Sequence, residues 1–356
     1  MFKPALASLS IGVLFVAVVS WSPVLSGTLT VETVRSEAIA DNLLGDSGDI
    51  EVAVYTPPGY PDGVGRYPTL YLLHGIMGSF RDWTGGGYQG LQIQTLMDSL
   101  ITAGAMPPTI VVMPTAANRY GGSYYVDSPV TGGWGQFMGR ELVAWVDANY
   151  ETVPDRGARA IAGHSMGGFG SIMAAVDYPD VFSVVYAMSP CCLALVEDFG
   201  AGNLAWTRTL AFDDEQDVPT ALQAGDFYPV AMMGFMSVAS PDASRPPFFV
   251  DPPFAPDGRG FVLEAEPAFT EFRSYFPTAR LDELAGPLRR LDGLAIDTGH
   301  NDQFAHIPPG AATLSAGLTE RNVPHVFEVY DGDHRNRMRE RMTMIILPFI
   351  ARYLEN

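Results

Sequence analysis

Gly163-His164-Ser165-Met166-Gly167-Gly168 follows the apolar run Ala158 to Ala162 and opens the small-residue stretch Phe169 to Ala175. A serine flanked by glycines at a step from strand to helix sits in a turn too tight for side chains at 163 and 167. Such a turn lifts the Ser165 oxygen to the edge of a sheet and to a helix N-terminus, where the amide of Met166 can face a developing negative charge. At average Gly and Ser usage the five-residue pattern alone arises in on the order of one chain in ten of this length. Its position between strand and helix gives it weight.

Outward from this turn, short apolar runs bounded by turn residues recur at Thr69 to Leu73, Thr109 to Met113, Phe182 to Met188, Leu294 to Asp297 and Val326 to Tyr330. Each has the length and flanks of a buried strand. Thr28 to Arg35 and Asp49 to Tyr55 read as an opening antiparallel pair, the second stopped by Pro57-Pro58-Gly59-Tyr60. Helical stretches alternate with the later strands at Leu91 to Ala103, Gly139 to Tyr150, Met166 to Tyr178, Ala311 to Asn322 and Arg337 to Glu355. This alternation predicts an α/β chain: a mostly parallel central sheet with helices on both faces, the α/β-hydrolase fold once the serine turn is included. Residues 193–290 break the rhythm with a long segment rich in Phe, Pro and Asp, which is expected to form a cap over the site. Its Phe248, Phe249, Phe254, Phe261, Phe269, Phe272 and Phe276 suggest an apolar, aromatic substrate surface.

In such sheets the reactive groups collect at the carboxyl ends of strands. His74-Gly75-Ile76-Met77-Gly78 follows the strand at Thr69 to Leu73, and the amide of Ile76 is the candidate second donor to an oxyanion. His334, in Asp331-Gly332-Asp333-His334, lies just past the strand Val326 to Tyr330, where a base can reach Ser165; His164 is expected to serve packing. Two aspartates near one strand end compete for the acid of a triad. Asp297 is close to the strand and suits fixing a turn, whereas Asp302 follows Gly299 on a loop able to bend towards His334.

With 356 residues, 47% of them hydrophobic, the chain can bury one large core and needs no second full domain. The formal net charge of −19, with Lys3 the single lysine, opposes binding to phosphate backbones, so no nucleic-acid partner is expected. Cys191 and Cys192 are adjacent and close no long loop; they read as small buried hydrophobes. No zinc-like spacing, HExxH or EF-hand pattern occurs, and no metal or organic cofactor is expected. Met1-Phe2-Lys3, the apolar run Ile11 to Val19 and the small residues up to Ser26 read as a secretory signal over 1–26. Residues 27–356 then form the mature, secreted domain. An uncleaved anchor is the alternative, and only then is a membrane a partner.

Tyr55-Thr56-Pro57-Pro58-Gly59-Tyr60, Leu72-Leu73-His74-Gly75, the Gly163 to Gly168 turn, Ser189-Pro190 and Gly332-Asp333-His334 together resemble the "putative esterase", or esterase D-like, family. That family includes S-formylglutathione hydrolases, feruloyl and acetylxylan esterases and mycolyltransferases. The resemblance implies Ser165 as nucleophile, His334 as base, Ile76 and Met166 as oxyanion amides, and Asp302, through its Gly-x-x-Asp spacing, as acid. It also marks Gly122 to Tyr125 and Gly133-Trp134-Gly135 as a segment near the site, so Tyr125 and Trp134 are candidates to line the substrate pocket, with core packing the equal alternative for each. The expected function is hydrolysis of a small-molecule or polymer-linked carboxylic ester through an acyl-serine. The rivals are acyl transfer to an alcohol and an inactive hydrolase-like binding protein.

Overall fold

The computed structural model describes residues 26–62 and 65–354, together with Met1. Eight strands form one sheet: β1 (Thr28–Arg35), β2 (Asp49–Thr56), β3 (Thr69–Leu73), β4 (Ile110–Pro114), β5 (Arg159–His164), β6 (Val184–Met188), β7 (Gly293–Gly299) and β8 (Val326–Tyr330). Their order is β1-β2-β4-β3-β5-β6-β7-β8. β1 pairs antiparallel with β2, and β2 antiparallel with β4. All remaining pairs are parallel, so the carboxyl ends of β3, β5, β6, β7 and β8 point to one edge.

β3 to β6 are buried at every residue because helices cover both faces. Side chains alternate between two cores: Tyr71 and Leu73 join one, Leu70 and Leu72 the other. The first core holds α2 (Leu142–Asn149), α3 (Met166–Asp177) and α9 (Ile307–Glu320); the second holds α1 (Ile93–Thr102) and α10 (Leu347–Leu354). α9 starts four residues before the stretch whose periodicity announces it. Pro308 and Pro309 occupy its first turn, where the missing amide protons have no helical acceptor in any case.

Between β6 and β7 the chain leaves the sheet and builds α4 (Ala205–Thr209), α5 (Asp217–Gln223), α6 (Phe227–Ala239), α7 (Ala268–Tyr275) and α8 (Leu281–Arg289), with a small hairpin of Phe254–Pro256 against Val262–Glu264. α6 is buried at every residue from Pro229 to Ala239, as a helix apolar on all sides must be. Phe235 at its centre meets Tyr124, Phe169, Phe199, Phe272 and Phe276 in mostly edge-on contacts. Among the described residues no helix is long and apolar enough to cross a membrane. The segment read as a secretory signal lies outside the described residues except at its ends.

Candidate active site

Ser165 has φ 57° and ψ −116°, a conformation that costs a non-glycine residue of order 1–3 kcal/mol. The surrounding glycines enforce it. A Cβ on Gly163 would collide with the Gly167 backbone, and one on Gly167 with the Leu73 carbonyl, so β3, β5 and α3 meet only because these positions are bare. Ser165 is thereby set at the start of α3, held by its own amide to the Met188 carbonyl at 2.9 Å. Gly75 passes close enough that a Cβ there would sit 3.3 Å from the Ser165 Cβ. The neighbouring amides of Met77 and Gly78 bond to Gly121 and Gly75 carbonyls, whereas those of Ile76 and Met166 donate to no other described residue. Both are therefore available to a substrate oxygen.

The ends of β7 and β8 are drawn together by amide bonds from His300 to the Tyr330 carbonyl (2.8 Å) and from Asn301 to the Gly332 carbonyl (2.9 Å). A Cβ at Gly299 would strike Gly332 and Asp333, so this approach also requires glycine. It brings Asp302 to His334, with Nδ1 to Oδ2 at 2.7 Å; the aspartate side chain is fully buried and the histidine nearly so. Asp302 Oδ1 accepts the Phe304 amide at 2.9 Å. Asp297 is elsewhere: its carboxylate accepts from Tyr186 (2.9 Å), from the Arg341 guanidinium (2.8 and 3.1 Å) and from the Ser189 amide (3.3 Å). Burial raises its pKa, against the pull of Arg341. Asp297 thus ties β7 to the C-terminal helical segment and β6.

Two further histidines are structural members of the site. His74 is fully buried, accepts the Ala116 amide at Nε2 (2.8 Å) and meets the Gly75 carbonyl through Nδ1 (2.7 Å); burial lowers its pKa to about 4. His164 does more than pack. Its Nε2 lies 2.8 Å from the His334 carbonyl, its Nδ1 3.0 Å from the Tyr88 hydroxyl, and its ring 4.4 Å from the His334 ring. The carbonyl requires the proton on Nε2, so the tyrosine donates to Nδ1. Burial, and then the neighbouring His334 charge, push the His164 pKa well below its ordinary value. The signal for this role is slight, because the second position of the Gly-x-Ser-x-Gly turn carries no chemical requirement by itself.

Ser165 stands between two cavities. One is small and apolar, with about 30 Å3 free for a water-sized group, and is walled by Tyr124, Cys191, Cys192, Phe199, Tyr228, Met232 and His306. The other is about 300 Å3, more polar and open, and is bordered by Tyr88, His164, Gln303, His334 and Arg335. Ile76, Phe227 and Phe304 edge both. Among the described residues, no group of His, Cys, Asp and Glu side chains is arranged to hold a metal ion.

Neither Tyr125 nor Trp134 borders these cavities, which corrects their assignment to substrate binding. Tyr125 is fully buried and donates its hydroxyl to the His74 carbonyl at 3.1 Å, propping the turn that presents Ile76. Trp134 is buried, donates Nε1 to the Thr131 carbonyl and stacks edge-on with Phe137. Its neighbour in the same segment, Tyr124, is the tyrosine that faces the small cavity. The seven phenylalanines from Phe248 to Phe276 are likewise absent from both walls, which corrects their expected place on a substrate surface; Phe254, Phe269, Phe272 and Phe276 form the cap's own core, because an inserted unit of this size must bury apolar surface of its own. The cap contributes to the cavities through Phe199, Phe227, Tyr228, Ala231 and Met232.

This sheet order, with a strained serine at the end of β5 and an Asp–His pair from the ends of β7 and β8, defines an α/β-hydrolase. The chain belongs to the family described as "Putative esterase", whose model matches residues 47–342. An esterase of Mycobacterium tuberculosis is 32% identical over 154 residues, 42% of this chain and 30% of that protein. The matched region thus spans less than a third of that relative's length. Among solved structures, a ferulic acid esterase (20% identity, TM-score 0.59) covers 92% of this chain and 99% of its own. A fluorophosphonate-binding serine hydrolase of Staphylococcus aureus (19% identity, TM-score 0.58) covers 93% and 100%. Both share the fold.

Proposed function

We propose that the protein hydrolyses carboxylic esters of short acyl groups through an acyl-enzyme on Ser165. The observation that carries this reading is the placement of Ser165 between a small apolar cavity and an open polar cleft holding the Asp302-paired His334. His334 takes the Ser165 proton; the serine oxygen attacks the ester carbonyl; the amides of Ile76 and Met166 hold the oxyanion. His334 then returns the proton to the departing alcohol, which must therefore lie on its side, in the open cleft. The acyl chain is left to the cavity beneath the cap, whose small free volume favours a short acyl group. Water in the vacated cleft, activated by His334, releases the acid. Asp302 holds the imidazole tautomer with the proton on Nδ1 and stabilises the imidazolium.

A series of p-nitrophenyl esters from acetate to laurate tests this. The expected result is a maximum of kcat/KM at two to four carbons; a maximum at eight carbons or more would contradict it. We further propose that the protein acts outside the cytoplasm, on the reading of residues 1–26 as a removable signal. Mass determination of the mature N-terminus near residue 27 is the check.

A further inference from the structure

Asp198 and His306 form a second carboxylate–imidazole pair at the small cavity, one that the reaction above does not use. Asp198 Oδ1 accepts both the His306 backbone amide (2.8 Å) and its Nδ1 (2.6 Å), while Oδ2 accepts the Ala305 amide (3.0 Å) and the Tyr228 hydroxyl. Burial pushes the Asp198 carboxyl up, but its bonds from His306 and Tyr228 outweigh this and hold it below the ordinary carboxylate range. A carboxylate with four donors is an acceptor only, so Nδ1 of His306 carries a proton, and in the neutral ring Nε2 carries the lone pair.

The side chain is 5% exposed, lies against Phe199 with ring centroids 4.5 Å apart, and borders the cavity next to Ser165. Its Nε2 is buried with no hydrogen-bond partner. Few polar atoms on the cavity wall are free to meet a ligand: Tyr124 donates to the Ala231 carbonyl and Tyr228 to Asp198. A buried acceptor left unpaired is destabilising, and here the bond from Nδ1 to Asp198 fixes the tautomer of the neutral ring that leaves Nε2 so. A fold that needed only packing at this point would do better with an apolar ring.

We infer that His306 Nε2 faces the acyl cavity and accepts a hydrogen bond from a hydroxyl on the acyl chain, so that the substrates are esters of short hydroxy acids. This rests on the ester-hydrolase reading and assigns Asp198 and Tyr228 to positioning the His306 ring. A site with one buried acceptor discriminates against the analogue lacking the donor, because that analogue leaves the nitrogen unpaired at the moment water is excluded.

The test compares matched ethyl esters by pH-stat: lactate (each enantiomer) against propionate, and 3-hydroxybutyrate (each enantiomer) against butyrate. The wild type is expected to favour at least one hydroxy ester by about 10- to 100-fold in kcat/KM. In His306→Asn the amide still donates to Asp198 but the second nitrogen is gone. Its ratio should fall to within about threefold of unity. Ratios near unity for every pair in the wild type overturn the inference whether or not the variant folds, as does a preference that survives in folded His306→Asn. If no ester is turned over and Ser165 takes no fluorophosphonate, the parent reading fails, a result distinct from brisk but indifferent turnover.

Discussion

His164, the residue immediately before the serine, donates its Nε2 proton to the backbone carbonyl of His334 at 2.8 Å. The serine turn thus holds the His334 loop directly, independently of Asp302. His164→Phe preserves a ring against His334 but removes that bond and the acceptor for Tyr88. It should lower kcat by roughly 10- to 100-fold with KM changed by less than about threefold, as expected for a base displaced by a fraction of an ångström. His164→Gln, which retains a donor, should recover most of the loss. Unchanged kcat in His164→Phe would show that the bond has no part in placing His334.

The two aspartates of β7 and its loop should separate cleanly. Asp302→Asn removes the carboxylate from His334 and is expected to cost on the order of 10³ to 10⁴ in kcat, by analogy with the triad aspartate of serine proteases. Asp297→Asn leaves Arg341 buried with Glu328 as its one remaining carboxylate among the described residues, so its expected effect is about 3 kcal/mol of stability and a melting temperature lower by on the order of 5 °C. Steady-state kinetics and thermal melts of both variants decide the point. A dead Asp297→Asn beside an active Asp302→Asn would reverse the assignment.

That contrast also marks how far the sequence could be read. The strands and the serine turn were legible because buried parallel strands are short apolar runs and because only glycine fits at 163 and 167. The loop carrying Asp302 was legible through Gly299, where two backbones touch. The walls of the cavities were not. Tyr124 and Tyr125 are adjacent, both have positive φ, and a small difference in chain direction sends one to the cavity and the other beneath His74. The phenylalanines from Phe248 to Phe276 are illegible for a related reason, since composition reports that a segment can make a core but not whose core it makes. The pairing of Asp198 with His306 spans 108 residues with no motif to announce it.

The acyl cavity should be tunable at Ala231, which lies on its wall in α6. Ala231→Leu adds volume to a space of about 30 Å3 and is expected to reduce kcat/KM for p-nitrophenyl butyrate by roughly tenfold or more relative to acetate. An unaltered butyrate-to-acetate ratio would remove this cavity from acyl selection.

Stability should decline in mild acid. The folded-state pKa of His74 is about 4, below its ordinary 6.5, so the unfolded chain binds the proton first and folding stability is lost as pH falls from 6.5 towards 4. This histidine alone corresponds to on the order of 3 kcal/mol lost by pH 4. Its contribution is complete above pH 6.5. Urea unfolding at pH 7.5, 6.0 and 4.5 measures the decline, and His74→Gln, which takes no proton, should show a shallower one. Equal slopes would place the acid sensitivity elsewhere.

The central claim is that Ser165 is the nucleophile. Intact mass after treatment with a fluorophosphonate, with peptide mapping, measures it most directly. The account predicts one adduct, on Ser165, together with complete loss of ester turnover. It also predicts that Ser165→Ala keeps a wild-type melting profile, takes up no probe and loses on the order of a million-fold in turnover. An adduct on another residue, or ester hydrolysis by Ser165→Ala near the wild-type rate, would contradict it.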